Sequence, residues 1–263
     1  MQRRHLLLDT DTNGVATITF DRPEVHNAFD DEMIASLASV FTELRGDAGV
    51  RVVVIAGRGK SFSAGADLNY MKRAAQFSQE ENVADALRLG RMLLSLRTLP
   101  APTVALVQGA AYGGGVGLVA ACDIAVAVEG AKFALTEVKL GLVPAMISPF
   151  VLDAIGSRQA TRYFHTAERF SAIDAQRIGL VHEVVADESA LSESRARIVG
   201  DLLAAGPEAS VAAKKLVADV AGRLIDEAML QDLATRIAAR RAADEGIEGL
   251  SAFLERRPPQ WAR

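Results

Sequence analysis

Apolar and polar positions change rhythm along this chain, and the changes predict its elements. VATITF (15–20) alternates and is β-branched, while RVVVIAG (51–57) and PTVALVQG (102–109) are short apolar runs ending in glycine, so all three read as buried strands. Helical stretches separate them. EMIASLASVFTELR (32–45) places Met33, Leu37, Val40, Phe41 and Leu44 on one face, and ADALRLGRMLLSLR (84–97) repeats the device before Pro100. CDIAVAV (122–128) and AKFAL (131–135) supply two further strands joined by a turn at Glu129 and Gly130, which carries the strand-rich part to about residue 135.

Beyond Pro144 the rhythm is helical. SPFVLDAIG (148–156), RQATRYFHTA (158–167) and SAIDAQRIG (171–179) read as short helices closed by glycine or a polar turn. From about Ser189 onward only helix is expected, broken at Gly206-Pro207 and at Gly246. A helical tail with apolar faces, following an α/β core, needs something to pack on, so an oligomer is expected. No linker, low-complexity tract or convincing repeat interrupts the 263 residues.

Composition narrows the classes. Half of the residues are hydrophobic and 24% are charged, enough for one large soluble domain or a core with an appendage. A net charge of −4 provides no broad basic surface and disfavours nucleic acid as a partner. A single cysteine, Cys122, forms no internal disulfide and leaves no cysteine pair for zinc, which fits a reducing, cytoplasmic compartment. Asp9 and Asp11 arrive before any signal-length apolar run, and no later run reaches the ~20 residues of a membrane span, so neither export nor membrane insertion is expected.

Two glycine turns follow apolar strands, SFSAGADL (61–68) and AAYGGGVGL (110–118). Where a strand opens into a helix, unpaired backbone N–H groups are exposed, and glycine admits a ligand close to them. Neither turn has the Gly-Lys-Ser/Thr ending of a phosphate loop or the acid of a dinucleotide fingerprint. Each alone reads more readily as a plain tight turn. Together, at one sheet edge, they could aim two amides at one oxygen and stabilise an enolate by ~3 to 4 kcal/mol per donor.

Those residues carry a family resemblance. SFSAGADL, QGAAYGGGVGLVAACDIAVA (108–127) and AKFALTEVKLGLVPA (131–145) resemble the enoyl-CoA hydratase/isomerase (crotonase) superfamily, with DRPEVHNAF (21–29), IDAQRIGLVHEVV (173–185) and EGLSAFLERRPPQW (248–261) extending the match. The resemblance implies an α/β fold: a spiral core of ββα turns over residues 1–195 and a helical C-terminal trimerisation region over 196–263, in trimers or hexamers. It places an oxyanion hole on the N–H groups of Ala66 and Gly114, and lays the adenine and pantetheine of CoA along Val25, His26, Ala64, Asp67 and Leu68. Arg256 falls where the family supplies a basic side chain to the CoA phosphates, in some members to an adjacent subunit. No metal or redox cofactor is implied, because coenzyme A is part of the substrate.

Many hydratases of this family hold water between two glutamates. The second corresponds to Glu137 and the first to Gly117, which offers no side chain. For Glu137 the alternatives are general acid/base and a carboxylate at a helix start; for Asp67, a turn cap and a reactive group. Cys122, Asp123, His26, His165 and His182 read as local structure.

One acid suffices to move a proton between two carbons, which fits an enoyl-CoA isomerase. Hydration is also possible if another group, such as a second carboxylate on the substrate, helps to hold the water. Ala145, Met146, Ile147, Ser148 and Pro149 stand where two-glutamate hydratases are glycine-rich, so the acyl pocket is reshaped. GGGVGL, TEVKLGLVPA and ISPF resemble bacterial hydratases of the 3-methylglutaconyl-CoA group, which implies a hydro-lyase in leucine or fatty-acid catabolism. The alternatives are the isomerase and an acyl-CoA-binding protein with little turnover.

Overall fold

A computed structural model describes residues 2, 3 and 5–262. The first strands are β1 (Gln2–Arg3), β2 (Leu6–Thr10) and β3 (Val15–Phe20), an antiparallel run, followed by α1 (Asp31–Gly46). Asp30 starts α1 by accepting the Met33 amide at 2.8 Å, and Met33, Leu37, Val40, Phe41 and Leu44 are buried on its inner face as their spacing predicts.

Three similar passages come next. The first is β4 (Val52–Gly57), β5 (Ser61–Ser63), α2 (Leu68–Ala74) and α3 (Gln79–Arg97). In the second, β6 (Thr103–Val107) and β7 (Ala110–Tyr112) lead to α4 (Gly114–Ala121); in the third, β8 (Ile124–Val128) and β9 (Lys132–Ala134) lead to a 3-10 turn (Glu137–Leu140) and α5 (Ser148–Thr166). The first strand of each passage joins a seven-stranded sheet that ends on β11 (Glu183–Val185), ordered β1-β2-β3-β4-β6-β8-β11, and the second joins a four-stranded sheet that begins on β10 (Phe170–Ser171), ordered β10-β9-β7-β5. Short β10 (Phe170–Ser171), α6 (Ala172–Arg177) and β11 (Glu183–Val185) close the core. Every residue of β6 is buried, and β4 is buried over its first four, in keeping with parallel strands covered on both faces. This is the mixed α/β fold that the resemblance implies.

The small sheet gathers three strand ends. β5, β7 and β9 are parallel neighbours, with Ser63 paired to Ala111 and Tyr112 to Ala134. Their C-terminal ends therefore lie side by side, and each opens into a turn: 64–67, Gly113 and 135–137. The ββα alternation thus brings segments distant in sequence to one edge.

The remaining helices are α7 (Glu188–Ala204), α8 (Pro207–Val220), α9 (Glu227–Ala242) and α10 (Asp244–Leu254). The Gly206-Pro207 break is present. Gly246 instead lies inside α10, and the break falls at Ala243, whose extended backbone interrupts the helical ladder. The boundary expected at 195/196 falls within α7, whose Leu191, Ile198 and Val199 pack in the main core. α8 buries no residue fully, and Phe253 and Leu254 at the end of α10 are 78% and 72% exposed, so this end carries an uncovered apolar face. Among the described residues no helix is long and apolar enough to cross a membrane.

Candidate functional site

A cavity of about 470 Å³ opens at the shared strand ends. Ala64, Ala66, Leu68, Gly114 and Glu137 all line it, so five of the positions read from sequence meet in one place.

Backbone geometry explains the meeting. Phe29 bridges the first turn, its N–H donating to the Gly65 carbonyl at 2.7 Å and its carbonyl accepting from Asp67 at 2.8 Å. Ala66, between those two residues, is left with its N–H turned away from Phe29 and, among the described residues, without an acceptor. Gly65 has φ +87°, and a Cβ there would stand 2.9 Å from the Tyr112 carbonyl oxygen, so the two turns touch where only glycine fits. On the other side, the Gly113 N–H donates to Ala134 at 2.9 Å and Gly113 takes φ +48°. The chain then enters α4 with Gly114, a first-turn amide that has no intrahelical partner and sits at the positive end of the helix dipole.

Glu137 follows the third strand. A Cβ built on Gly113 would lie 3.2 Å from Glu137 Oε1, which places the carboxylate against the second glycine turn. Its Oε2 is buried with no hydrogen-bond partner. Burial pushes the Glu137 carboxyl above the usual range, against a weaker opposing bond from its own amide. A bond from its own amide, the first of the 3-10 turn, engages the carboxyl and still leaves Oε2 buried and without a partner, in a residue that lines the cavity. Two free donors and one acid of raised pKa can stabilise a charged oxygen and exchange a proton beside it.

Asp67 takes the other of its two readings. Its Oδ1 accepts the Asn69 and Tyr70 amides at 2.8 and 3.1 Å, capping α2, and Oδ2 lies 3.2 Å from Arg22 Nη2. Burial pushes its carboxyl up, but those amides and the guanidinium prevail and hold it below the usual range. Val25, His26, Asp67 and Arg256 are not among the residues lining the cavity. His26 adopts a left-handed backbone, lies within 3.1 Å of Ser61 through Nδ1, and accepts the Ala64 amide on its carbonyl, so it adjoins the first turn. Arg256 is exposed and left-handed just after α10.

Other roles are structural. His182 Nδ1 accepts the Ala125 amide at 3.1 Å, and Asp123 Oδ2 accepts both the amide and hydroxyl of Thr103. Burial, reinforced by Asp123, pushes the Cys122 thiol up to about 12. Among the described residues His5, Asp30 and Glu32 bring metal-ligating atoms together, but Arg22 already sits 2.9 Å from Asp30 Oδ2 and repels a cation there.

Sequence reasoning missed two lining groups. Tyr70 donates its hydroxyl to Asp85, which also accepts Arg88 Nη2 at 2.5 Å, and burial together with Asp85 pushes the phenol up. Fifteen residues separate the pair, and no motif links them. It also missed what fills the space beside Gly117, which is Ile147.

A family model described as enoyl-CoA hydratase/isomerase matches residues 10–263. The crystal structure of an enoyl-CoA hydratase from Shewanella pealeana is 42% identical with a TM-score of 0.94, covering 99% of this chain and 97% of that one. Pseudomonas aeruginosa AtuE is 37% identical with a TM-score of 0.94, over 98% of this chain and 100% of the other. An (E)-benzylidenesuccinyl-CoA hydratase from Thauera aromatica is 35% identical over 250 residues, 94% of this chain and 95% of its own.

Proposed function

Since this chain belongs to the enoyl-CoA hydratase/isomerase family, we propose that it adds water to the double bond of a 2-enoyl-CoA thioester. One observation carries the reading: two unpartnered amides, Ala66 and Gly114, line the same cavity as a carboxylate with an orphaned oxygen, Glu137.

In this reading the thioester carbonyl sits on the two amides and the carboxylate form of Glu137 holds a water. As the water oxygen bonds to C3, Glu137 takes its proton, the C2–C3 π electrons move toward the thioester, and the enolate oxygen is stabilised by the amides. Glu137 then returns the proton to C2. The double bond has become a single bond carrying H and OH, and the enzyme is unchanged. Coenzyme A enters as part of the substrate, along Val25, His26, Ala64, Asp67 and Leu68, with Arg256 for its phosphates. We assign the uncovered apolar face to a homotrimer, or to a hexamer built from two such trimers.

The finer reading is a branched dicarboxylic acyl group such as 3-methylglutaconyl. Its support is Glu137 as the one lining carboxylate with a free oxygen, Asp85 being held by Tyr70 and Arg88, which leaves water short of an acceptor that the substrate can bring, and the likeness to a hydratase whose name specifies a succinyl-type acyl group. An isomerase is the second reading, favoured by that same single acid. Incubation with 3-methylglutaconyl-CoA, crotonyl-CoA and a 3-enoyl-CoA separates them: the hydratase yields 3-hydroxy products. Rapid migration of the double bond without them selects the isomerase, and binding without conversion selects a carrier.

A further inference from the structure

The position that lacks its acid is occupied. A Cβ built on Gly117 would stand 2.4 Å from Ile147 Cγ2 and 2.8 Å from its Cβ, with Leu93 Cδ1 at 3.6 Å. Gly117 is buried, and Ile147 is only 3% exposed. Met146 does the same one helix away, its methyl 2.2 Å from where a Cβ on Gly90 would be. Consecutive side chains of this segment thus drop into gaps left by glycines on α4 and α3, fixing the path of a segment that walls the cavity beside Glu137. Apolar packing of this kind admits no side chain at 117 while Ile147 stays.

We infer that Ile147 is a specificity-determining residue: by filling the room of a side chain at 117, it leaves Glu137 as the one lining carboxylate with a free oxygen and so commits the site to acyl groups that do not need a second. The inference rests on the hydratase reading. A side chain placed at 117 alone would run at its Cβ into hydrocarbon from Ile147 and Leu93, with no room to pass. Exchange at both positions makes the room.

The test uses wild type, Gly117→Glu, Ile147→Gly and the double variant, assayed for hydration of crotonyl-CoA against pH. Gly117→Glu should lose activity, whereas the double variant should exceed Ile147→Gly by about a hundredfold and show a second acid ionisation in its pH profile. Because Gly117→Glu risks misfolding, melting temperatures are also taken for Gly117→Ala alone and with Ile147→Gly; the alanine should lower Tm in the wild-type background and lower it less once Ile147 is gone. Equal penalties in the two backgrounds, or a double variant no faster than Ile147→Gly, would overturn the inference. Failure of the hydratase reading is seen separately, as a wild type that hydrates none of the esters.

Discussion

Arg22 reaches Asp67 at 3.2 Å with one guanidinium nitrogen, while the other binds Asp30 at 2.9 Å and donates to the Ala28 carbonyl at 2.7 Å. The side chain is buried and joins the caps of α1 and α2 to the strand-like segment at Phe29. Ala66 lies between the two residues that Phe29 holds, so the aim of its amide depends on this clamp. Arg22→Ala should destabilise by about 3 to 5 kcal/mol, since two carboxylates lose a buried partner. The variant should also lose kcat more than affinity for the CoA ester, and Arg22→Lys should recover part of the stability but less of kcat. Urea unfolding and steady-state kinetics check this; unchanged kcat in Arg22→Ala would separate the clamp from the amide.

Gly113 is held at φ +48° and ψ −116°, with the place of its missing methyl 3.2 Å from Glu137 Oε1. Gly113→Ala therefore strains the backbone by about 1 to 3 kcal/mol and pushes on the carboxylate. Hydration should fall about a hundredfold if Glu137 is the general base. Gly222 is the control, because it also has positive φ, at +73°, but nothing lies near its added methyl. Gly222→Ala should lower the melting temperature and leave the rate intact; equal loss of rate in both would remove the link between Gly113 and Glu137.

Asp123 ties the helical end to the sheet. Its Oδ2 meets Lys214 Nζ on α8 at 2.6 Å and accepts from Thr103 on β6, while Lys214 also donates to the Ala101 carbonyl at 3.2 Å. Asp123→Ala strands the Lys214 charge and two Thr103 donors in a half-buried place, so a loss of about 2 to 3 kcal/mol is expected. The effect should appear as a lower urea midpoint with little change in kcat/KM.

Much of the fold was legible because each helix face and each core strand carries its own periodicity, as Leu37 and Phe41 in α1 or Val52–Ile55 in β4 illustrate. β10 and β11 have two and three residues, too few for any rhythm, and their places come from pairing with β9 and β8. Ala66, Gly114 and Glu137 were reached through motifs, and the strand order now explains why those motifs meet. The Arg22–Asp67 arm of the clamp, the Tyr70–Asp85 pair and the seating of Ile147 on Gly117 are contacts between residues 15 or more apart. Such contacts are decided by packing, and no local pattern encodes them.

Glu137 links pH to both rate and stability, with opposite signs. Its folded pKa lies above the ordinary 4.5 because burial disfavours the charge. In the unfolded chain the proton leaves first, so the native protein loses stability as pH rises from about 4.5 through the folded value and then levels off. Glu137→Gln lacks this titration, and its stability relative to wild type should therefore be greater at pH 7 than at pH 4, as read from urea midpoints. In the proposed hydration the sign is reversed: there the carboxylate form accepts the proton from water, so wild-type kcat/KM should rise with pH through that same raised pKa, and Glu137→Gln should be slower by at least ~100-fold while still binding the CoA ester. A variant that loses stability relative to wild type between pH 4 and 7 would mean that the folded protein favours the charge, and would place the polar partner of Glu137 within the protein instead of in the substrate complex.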